Sequence, residues 1–402
     1  MHQLPGKLAK HATSRFGLDE LSLDISSTST VKDNCDRHCI FKSFANPAAS
    51  SSAFNLEIDM TKPPTMLTRR SVFRAGVGLA AAATATRLIP PASAQSENAG
   101  QTGAETLNGD GFYRFKIGDF QATVISDGYG QLPIRPILAM NASEAELAPV
   151  LKANFMQPVI QITANPLVVD TGRERILVDN GFGEKLGPTF GSFPGLEANL
   201  RRAGITPESV DLVATSHGHL DHIGGFVKKS GALMFPKAQF VFVDAEWNYW
   251  TGSRYESEVN SSPMPDPFKK GTIGAAQENL PPVAGRSRFV KQGGEITTGV
   301  HYVAAPGHSP SHAAILFTSG NEQFMHMGDI THNPVTSLQH PEWTPVFDYD
   351  PAQAIKSRKA ILDRVATDRI RVMGYHFPFP AIGHVVRRDA AYHWEAAQWI
   401  WS

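Results

Sequence analysis

The stretch TSHGHLDHIGG, Thr215–Gly225, sets three histidines and one aspartate within six consecutive positions, His217 to His222. It directly follows Val210-Asp211-Leu212-Val213-Ala214, an apolar run of strand length. The loop behind a buried strand is held rigidly from one side, which suits it to carry chemistry. In extended chain His217 and His219, at i and i+2, project to the same side. Asp221 and His222 follow at once and are expected to open a helix, so that two rings from the loop and a ring and carboxylate from the helix start converge on a small volume. Imidazole with carboxylate suits zinc. Gly224-Gly225 allows close backbone approach where a side chain would obstruct. One histidine here would read as solvated and Asp221 alone as a helix cap. Four such groups behind one apolar strand point to a metal site.

The chain around this stretch alternates strand-like and helix-like segments. Phe112–Ile117 and Gln121–Ile125 form an expected hairpin turned by Gly118-Asp119, and Asn165–Asp170 and Arg175–Asp179 form another around Thr171-Gly172-Arg173. Leu196–Ala203 has helical spacing and stops at Gly204, and Pro351–Val365 is the clearest late helix. Further strands are expected at Gln239–Val243, His301–Ala304, Ala314–Phe317 and Arg369–Met373. Strands in runs with helices between them imply an α/β fold with buried sheets and helices outside. At 402 residues, 42% hydrophobic and 19% charged, the chain is long enough to bury a large core. A formal net charge of -1 argues against a nucleic-acid partner.

Four later segments complete a pattern: Leu177-Val178-Asp179-Asn180-Gly181, Pro306-Gly307-His308-Ser309-Pro310, Met327-Gly328-Asp329 and Tyr375-His376. With His217-Gly218-His219-Leu220-Asp221-His222 they resemble, in order, the motifs of the metallo-β-lactamase superfamily, from Gly111 to the C-terminus. The resemblance implies a four-layer αβ/βα sandwich and two divalent metal ions, expected to be zinc. It implies that His217, His219 and His308 hold one ion, that Asp221, His222 and His376 hold the other, and that Asp329 bridges them. Asp179 is the implied outer acceptor that fixes a ligand histidine's tautomer. The family places its ligand at His308 and not at His312, four residues on. His332, close behind Asp329, is within reach of the pocket.

The branch can be narrowed. Classical β-lactamases of this family use a cysteine where Asp329 stands, and the oxygen-reducing di-iron branch carries glutamate where His219 stands. The nearer resemblance is to the methyl parathion hydrolase-like metallohydrolases. It is carried by Gly111-Phe112-Tyr113-Arg114 with Ile117-Gly118-Asp119-Phe120, by Leu186-Gly187-Pro188-Thr189, and by His376-Phe377-Pro378-Phe379-Pro380-Ala381-Ile382-Gly383-His384. It implies a substrate pocket at Leu186, Trp250 and Phe268, although Leu186 stands where that family has an aromatic. The implied chemistry is hydrolysis of an ester, lactone or phosphotriester by a hydroxide shared between two metals. Asp221 would shuttle a proton and His384 would orient a small-molecule substrate at the rim. N-acyl homoserine lactonases share these ligands and form the alternative, though they often carry a tyrosine after the bridging aspartate, where Asn333-Pro334-Val335 stands here. A redox enzyme with a single iron, like the superfamily's persulfide dioxygenases, is the third reading. A homodimer is compatible with the resemblance, but no seam is legible.

Residues 66–94, MLTRRSVFRAGVGLAAAATATRLIPPASA, run from a basic start through a short apolar stretch to Ala92-Ser93-Ala94, the order of an export signal. The apolar run, about a dozen residues, is too short to span a bilayer. Thr68-Arg69-Arg70-Ser71-Val72-Phe73-Arg74 resembles a twin-arginine signal. The expectation is therefore a bacterial protein exported by the Tat machinery to the periplasm or medium. Met66 is the expected initiator. Residues 1–65, polar and without periodicity, read as a disordered upstream extension that is not translated, 95–110 as a flexible linker, and 111–402 as the catalytic domain. Cys35 and Cys39, the only cysteines, read as a chance pair. N-terminal sequencing of the exported protein is expected to begin near Gln95; a mature terminus at Met1 refutes both the signal and the start site.

Overall fold

Strands whose apolar residues occupy both faces of the backbone set the architecture. The computed structural model describes residues 111–400. The expected extension, export signal and linker, with Cys35 and Cys39, lie outside the described residues. The chain opens with the hairpin β1 (Phe112–Ile117) and β2 (Phe120–Ile125). A separate two-stranded sheet follows, β3 (Gly128–Pro133) with β4 (Val159–Ala164). The chain then returns with β5 (Leu167–Asp170), β6 (Arg175–Val178), β7 (Leu212–Ala214), β8 (Gln239–Val243) and β9 (Ser287–Val290). The resulting seven-stranded sheet has the order β1-β2-β5-β6-β7-β8-β9. A second seven-stranded sheet runs in chain order through β10 (Glu295–Thr297), β11 (Val300–Ala304), β12 (Ala313–Ser319), β13 (Glu322–His326), β14 (Arg371–Met373), β15 (Ile382–Arg388) and β16 (Ala391–Ala396).

The period of two sorts each central strand between two cores. Ile176 and Val178 of β6, Leu212 and Ala214 of β7, and Val241 and Val243 of β8 pack into the core shared with the second sheet. Leu177, Val213, Phe240 and Phe242 face the other way, into a core built with the helices Leu196–Arg202, Leu220–Ile223, Asp244–Trp250 and Asp266–Val283. Strands covered on both faces carry unbroken apolar runs rather than alternation, which is why Leu212-Val213-Ala214 reads as it does. Ile361, Leu362 and Val365 of the helix Pro351–Thr367 pack against the second sheet's side. The layers are helix, sheet, sheet, helix: the αβ/βα sandwich.

Strand direction places the site. β6 and β7 are parallel. In the second sheet β13 and β14 are parallel, and β11 runs their way because both β11 and β13 are antiparallel to β12. Asp179 follows β6, Thr215–His222 follows β7, His308 follows β11, Asp329 follows β13 and His376 follows β14. The Tyr302 hydroxyl crosses between the sheets, donating toward the Val241 carbonyl at 2.8 Å with the Thr215 carbonyl 3.2 Å away, and so ties the base of the histidine loop to β11. Tyr302 is 1% exposed. Tyr302→Phe keeps the packing and loses this bond, so urea unfolding should show a loss of about 1–2 kcal/mol without change of fold.

Candidate metal centre

The helix Leu220–Ile223 begins where His219 leaves extended conformation, and it presents Asp221 and His222 back toward the loop. Gly224 and Gly225 serve packing: a Cβ on Gly224 would lie 2.4 Å from the Phe182 carbonyl oxygen, and one on Gly225 2.4 Å from that of Asn180. They admit the backbone behind Asp179 and do not face the cluster. Asp179 itself adopts φ 55°, a left-handed conformation that turns its carboxylate inward. There it accepts from the Ser216 N–H and Ser216 Oγ, each at 2.8 Å, and lies 2.9 Å from His222 Nδ1.

The structure brings His217, His219, Asp221, His222, His308, Asp329 and His376 together, all buried. Two of the clusters they form are His217, His219 and His308, and Asp221, His222 and His376, with donor atoms inside each within 4.8 Å of one another. Asp329 lies between them. Its Oδ1 is 3.3 Å from His222 Nε2, and its Oδ2 is 3.3 Å from His308 Nε2 and 3.1 Å from His376 Nε2. Asp221 Oδ2 stands 3.4 Å from His376 Nε2. His219 Nδ1 and His308 Nε2 are 3.0 Å apart, a separation at which the two nitrogens must share a proton or a cation.

The surroundings fix which nitrogen is free. His308 Nδ1 pairs with Asp348 Oδ1 at 2.9 Å and His376 Nδ1 donates to the Thr163 carbonyl at 2.7 Å, so in the neutral ring each keeps Nε2, the nitrogen facing Asp329, free for a cation. Burial pushes His217 and His219 well below the ordinary imidazole range, leaving them neutral, the ligating form. Burial also acts to lower His222, but the Asp329, Asp221 and Asp179 carboxylates outweigh it and hold that ring well above its usual range. His308 meets the same opposition and is lifted to about 9 by Asp329 and Asp348. Against its own burial, Asp329 is held well below the carboxylate range by His376 and His222. His217 Nε2, His222 Nε2, His332 Nε2 and Asp329 Oδ1 are buried with no hydrogen-bond partner. Each unsatisfied group costs about 1–3 kcal/mol. Orphaned nitrogens and a carboxylate oxygen aimed into one volume fit divalent cations.

Other expected residues land differently. His384 is not at the site. It lies on β15, in register with Arg371 of β14, after the chain has turned at the site edge and run back down the sheet, and it lines a surface cleft with Arg369 and Arg371. Leu186 does not line the cavity beside the cluster; it packs on the helix-side core. Phe268 does line it. Trp250, 3% exposed, borders a second cavity and lies against Gly218, where a Cβ would come within 2.3 Å of its ring. His312 is no free bystander: its Nε2 accepts the Asp329 N–H at 3.0 Å. His332 lies 3.4 Å from Asp329 Oδ2 and stacks on His376 with centroids 5.5 Å apart. Asp348 was not singled out in the sequence. It sits in an aromatic loop, held by Arg358 at 3.2 Å, and no motif marks it.

A family model described as the metallo-beta-lactamase superfamily matches residues 161–372. An N-acyl homoserine lactonase of Bacillus cereus is 23% identical over 239 residues, covering 58% of this chain and 81% of that protein. Among solved structures, AidC, a dizinc quorum-quenching lactonase in complex with a hexanoyl-homoserine product, is 26% identical with a TM-score of 0.65, covering 74% of this chain and 100% of its own. The hydrolase AbOPH of the beta lactamase superfamily is also 26% identical with a TM-score of 0.65, covering 73% and 99%. Asp348→Asn should weaken zinc binding about 10- to 100-fold in chelator competition, whereas His384→Ala should leave zinc binding unchanged.

Proposed function

The chain belongs to the metallo-beta-lactamase superfamily and is a metal-dependent hydrolase, and on that premise we propose that it is a binuclear zinc enzyme opening lactones or esters that carry an apolar arm. The observation that carries the reading is a cavity that ends on the ligand cluster. Leu132, Ile162, Phe182, Phe193, Met264, Phe268 and Phe347 wall it, and His219, Asp221, His308, Asp329, His332 and His376 form its floor. A second, more open cavity reaches His219 past Met264 and Phe347 and is bordered by Tyr249, Glu258, Ser262, Ser309 and Tyr349. A carboxylic ester carries two arms on its reacting carbon beside the carbonyl oxygen, and two cavities meet here. The dizinc lactonase among the similar structures and the homoserine lactonase among the similar sequences support the same reading.

His217, His219 and His308 would hold one ion, Asp221, His222 and His376 the other, with Asp329 shared. Bound divalent ions supply Lewis acidity toward a carbonyl oxygen and bring the pKa of water near neutrality. The protein's own groups do the rest. The apolar walls exclude bulk water and so strengthen every charge interaction at the floor. Asp221, on the cavity floor, takes up at its carboxylate the proton that the attacking water loses and returns it to the leaving oxygen. His332, on the cavity floor with its Nε2 3.4 Å from Asp329 Oδ2, is placed to turn that nitrogen toward a substrate oxygen. The export signal read in residues 66–94 supports a place for this enzyme in the bacterial periplasm or medium.

Aryl phosphotriester hydrolysis is the second reading, favoured by the four phenylalanines in the cavity wall. The zinc-loaded protein should be assayed with an N-acyl homoserine lactone, an aryl ester and an aryl phosphotriester side by side. Lactone or ester turnover is expected to exceed triester turnover; the reverse order establishes the second reading. One iron per chain without hydrolysis overturns both and leaves the redox enzyme. Asp329→Asn should lose metal and nearly all activity, while His332→Ala should keep zinc and lose about 10²-fold in kcat/KM.

A further inference from the structure

Glu246 takes no part in the chemistry described above, yet it is a carboxylate 3% exposed beside the centre. It lies in the helix Asp244–Trp250 that follows β8, and among the described residues it forms no ion pair. Its two oxygens are divided. Oε1 accepts the Gly218 N–H at 3.1 Å and the Trp250 Nε1–H at 2.7 Å, and Oε2 accepts the Ser311 N–H at 2.8 Å. Gly218 separates His217 from His219, and Ser311 lies three residues beyond His308 in a loop that leaves the other sheet. One buried carboxylate thus spans two ligand loops carried by two different sheets.

An ionised carboxylate taken out of water costs several kcal/mol, and an apolar side chain would fill the space without that cost. What an apolar residue lacks is an acceptor for each loop. Charge-assisted bonds to backbone N–H groups are short and strong, and these two fix the backbones of both loops. Trp250 orients the carboxylate by its own N–H and occupies the space that the missing side chain of Gly218 leaves. The Asp221, His222 and His376 set has supports of its own, the Thr163 carbonyl and the Tyr375 hydroxyl, which donates to the Asp221 carbonyl at 2.7 Å, while Asp179 serves both sets, through His222 and through Ser216 beside His217.

We infer that Glu246 is a positioning residue that sets the spacing of His217 and His219 against His308, and so governs one of the two metal positions selectively. The inference rests on the two-ion reading proposed above. The test is zinc titration against a chelator with the native chain and Glu246→Gln, whose amide nitrogen would face one of the loop N–H groups. The variant should keep one ion at native affinity and bind the other about 10- to 100-fold more weakly. Two ions at native affinity, or both weakened alike, overturn the inference while the two-ion reading stands. A native chain that binds only one ion overturns that reading and the inference with it. A second measurement needs no variant: in the metal-free native protein the Gly218 and Ser311 amides should both stay protected from hydrogen exchange, because their acceptor is Glu246. Rapid exchange at either amide overturns the assignment.

Discussion

Everything at the centre depends on one carboxylate being placed where it is least stable alone. Asp329 is 3% exposed and sits among the rings of His222, His308, His332 and His376 at 3.1 to 3.4 Å. No such group could be carried by a flexible loop, since each ångström of drift would trade ion pairing for a desolvated charge. It is carried instead by the end of β13, which runs in the same direction as β11 and β14 in the second sheet, and faces the ends of β6 and β7 in the first. The requirement that these strands finish at a common edge explains the crossover connections and the doubly buried strands.

From that edge outward, several of the candidate ligands have an anchor of their own. His222 rests on Asp179, His308 on Asp348 and through it on Arg358, and His376 on the Thr163 carbonyl of β4. Asp329 is held by its backbone, through the His312 ring. The arrangement ties the small β3–β4 sheet and the helix Pro351–Thr367, neither of which supplies a ligand, to the geometry of the metal positions.

The residues of the candidate metal centre were legible because they cluster in the chain or follow apolar strands in a known order. Most of the strands were legible for the same reason: Gln239–Val243 and the first hairpin are continuous apolar or alternating runs. The β3–β4 hairpin was not, since Gly128-Tyr129-Gly130-Gln131 carries little apolar signal and its partner lies about thirty residues on. The helix Asp266–Val283 was hidden by Gly271, Gly274, Pro281 and Pro282, which depress local propensity although its face is buried. The supports Asp348, Glu246 and Thr163 act through contacts to residues far off in the chain, and no local pattern encodes a contact of that kind. His384 misled because it closes a distinctive motif, while the strand that bears it has already turned away.

The cavity walls come from other parts of the chain than most of the ligands. Met264 lies in the connection before the helix Asp266–Val283, Phe268 in that helix, and Phe347 in the loop before Pro351. Substitutions there can alter which molecules fit without moving a donor atom of the His217–His222 loop. A lineage built this way can drift between substrates by small steps while its hydrolytic machinery is inherited intact.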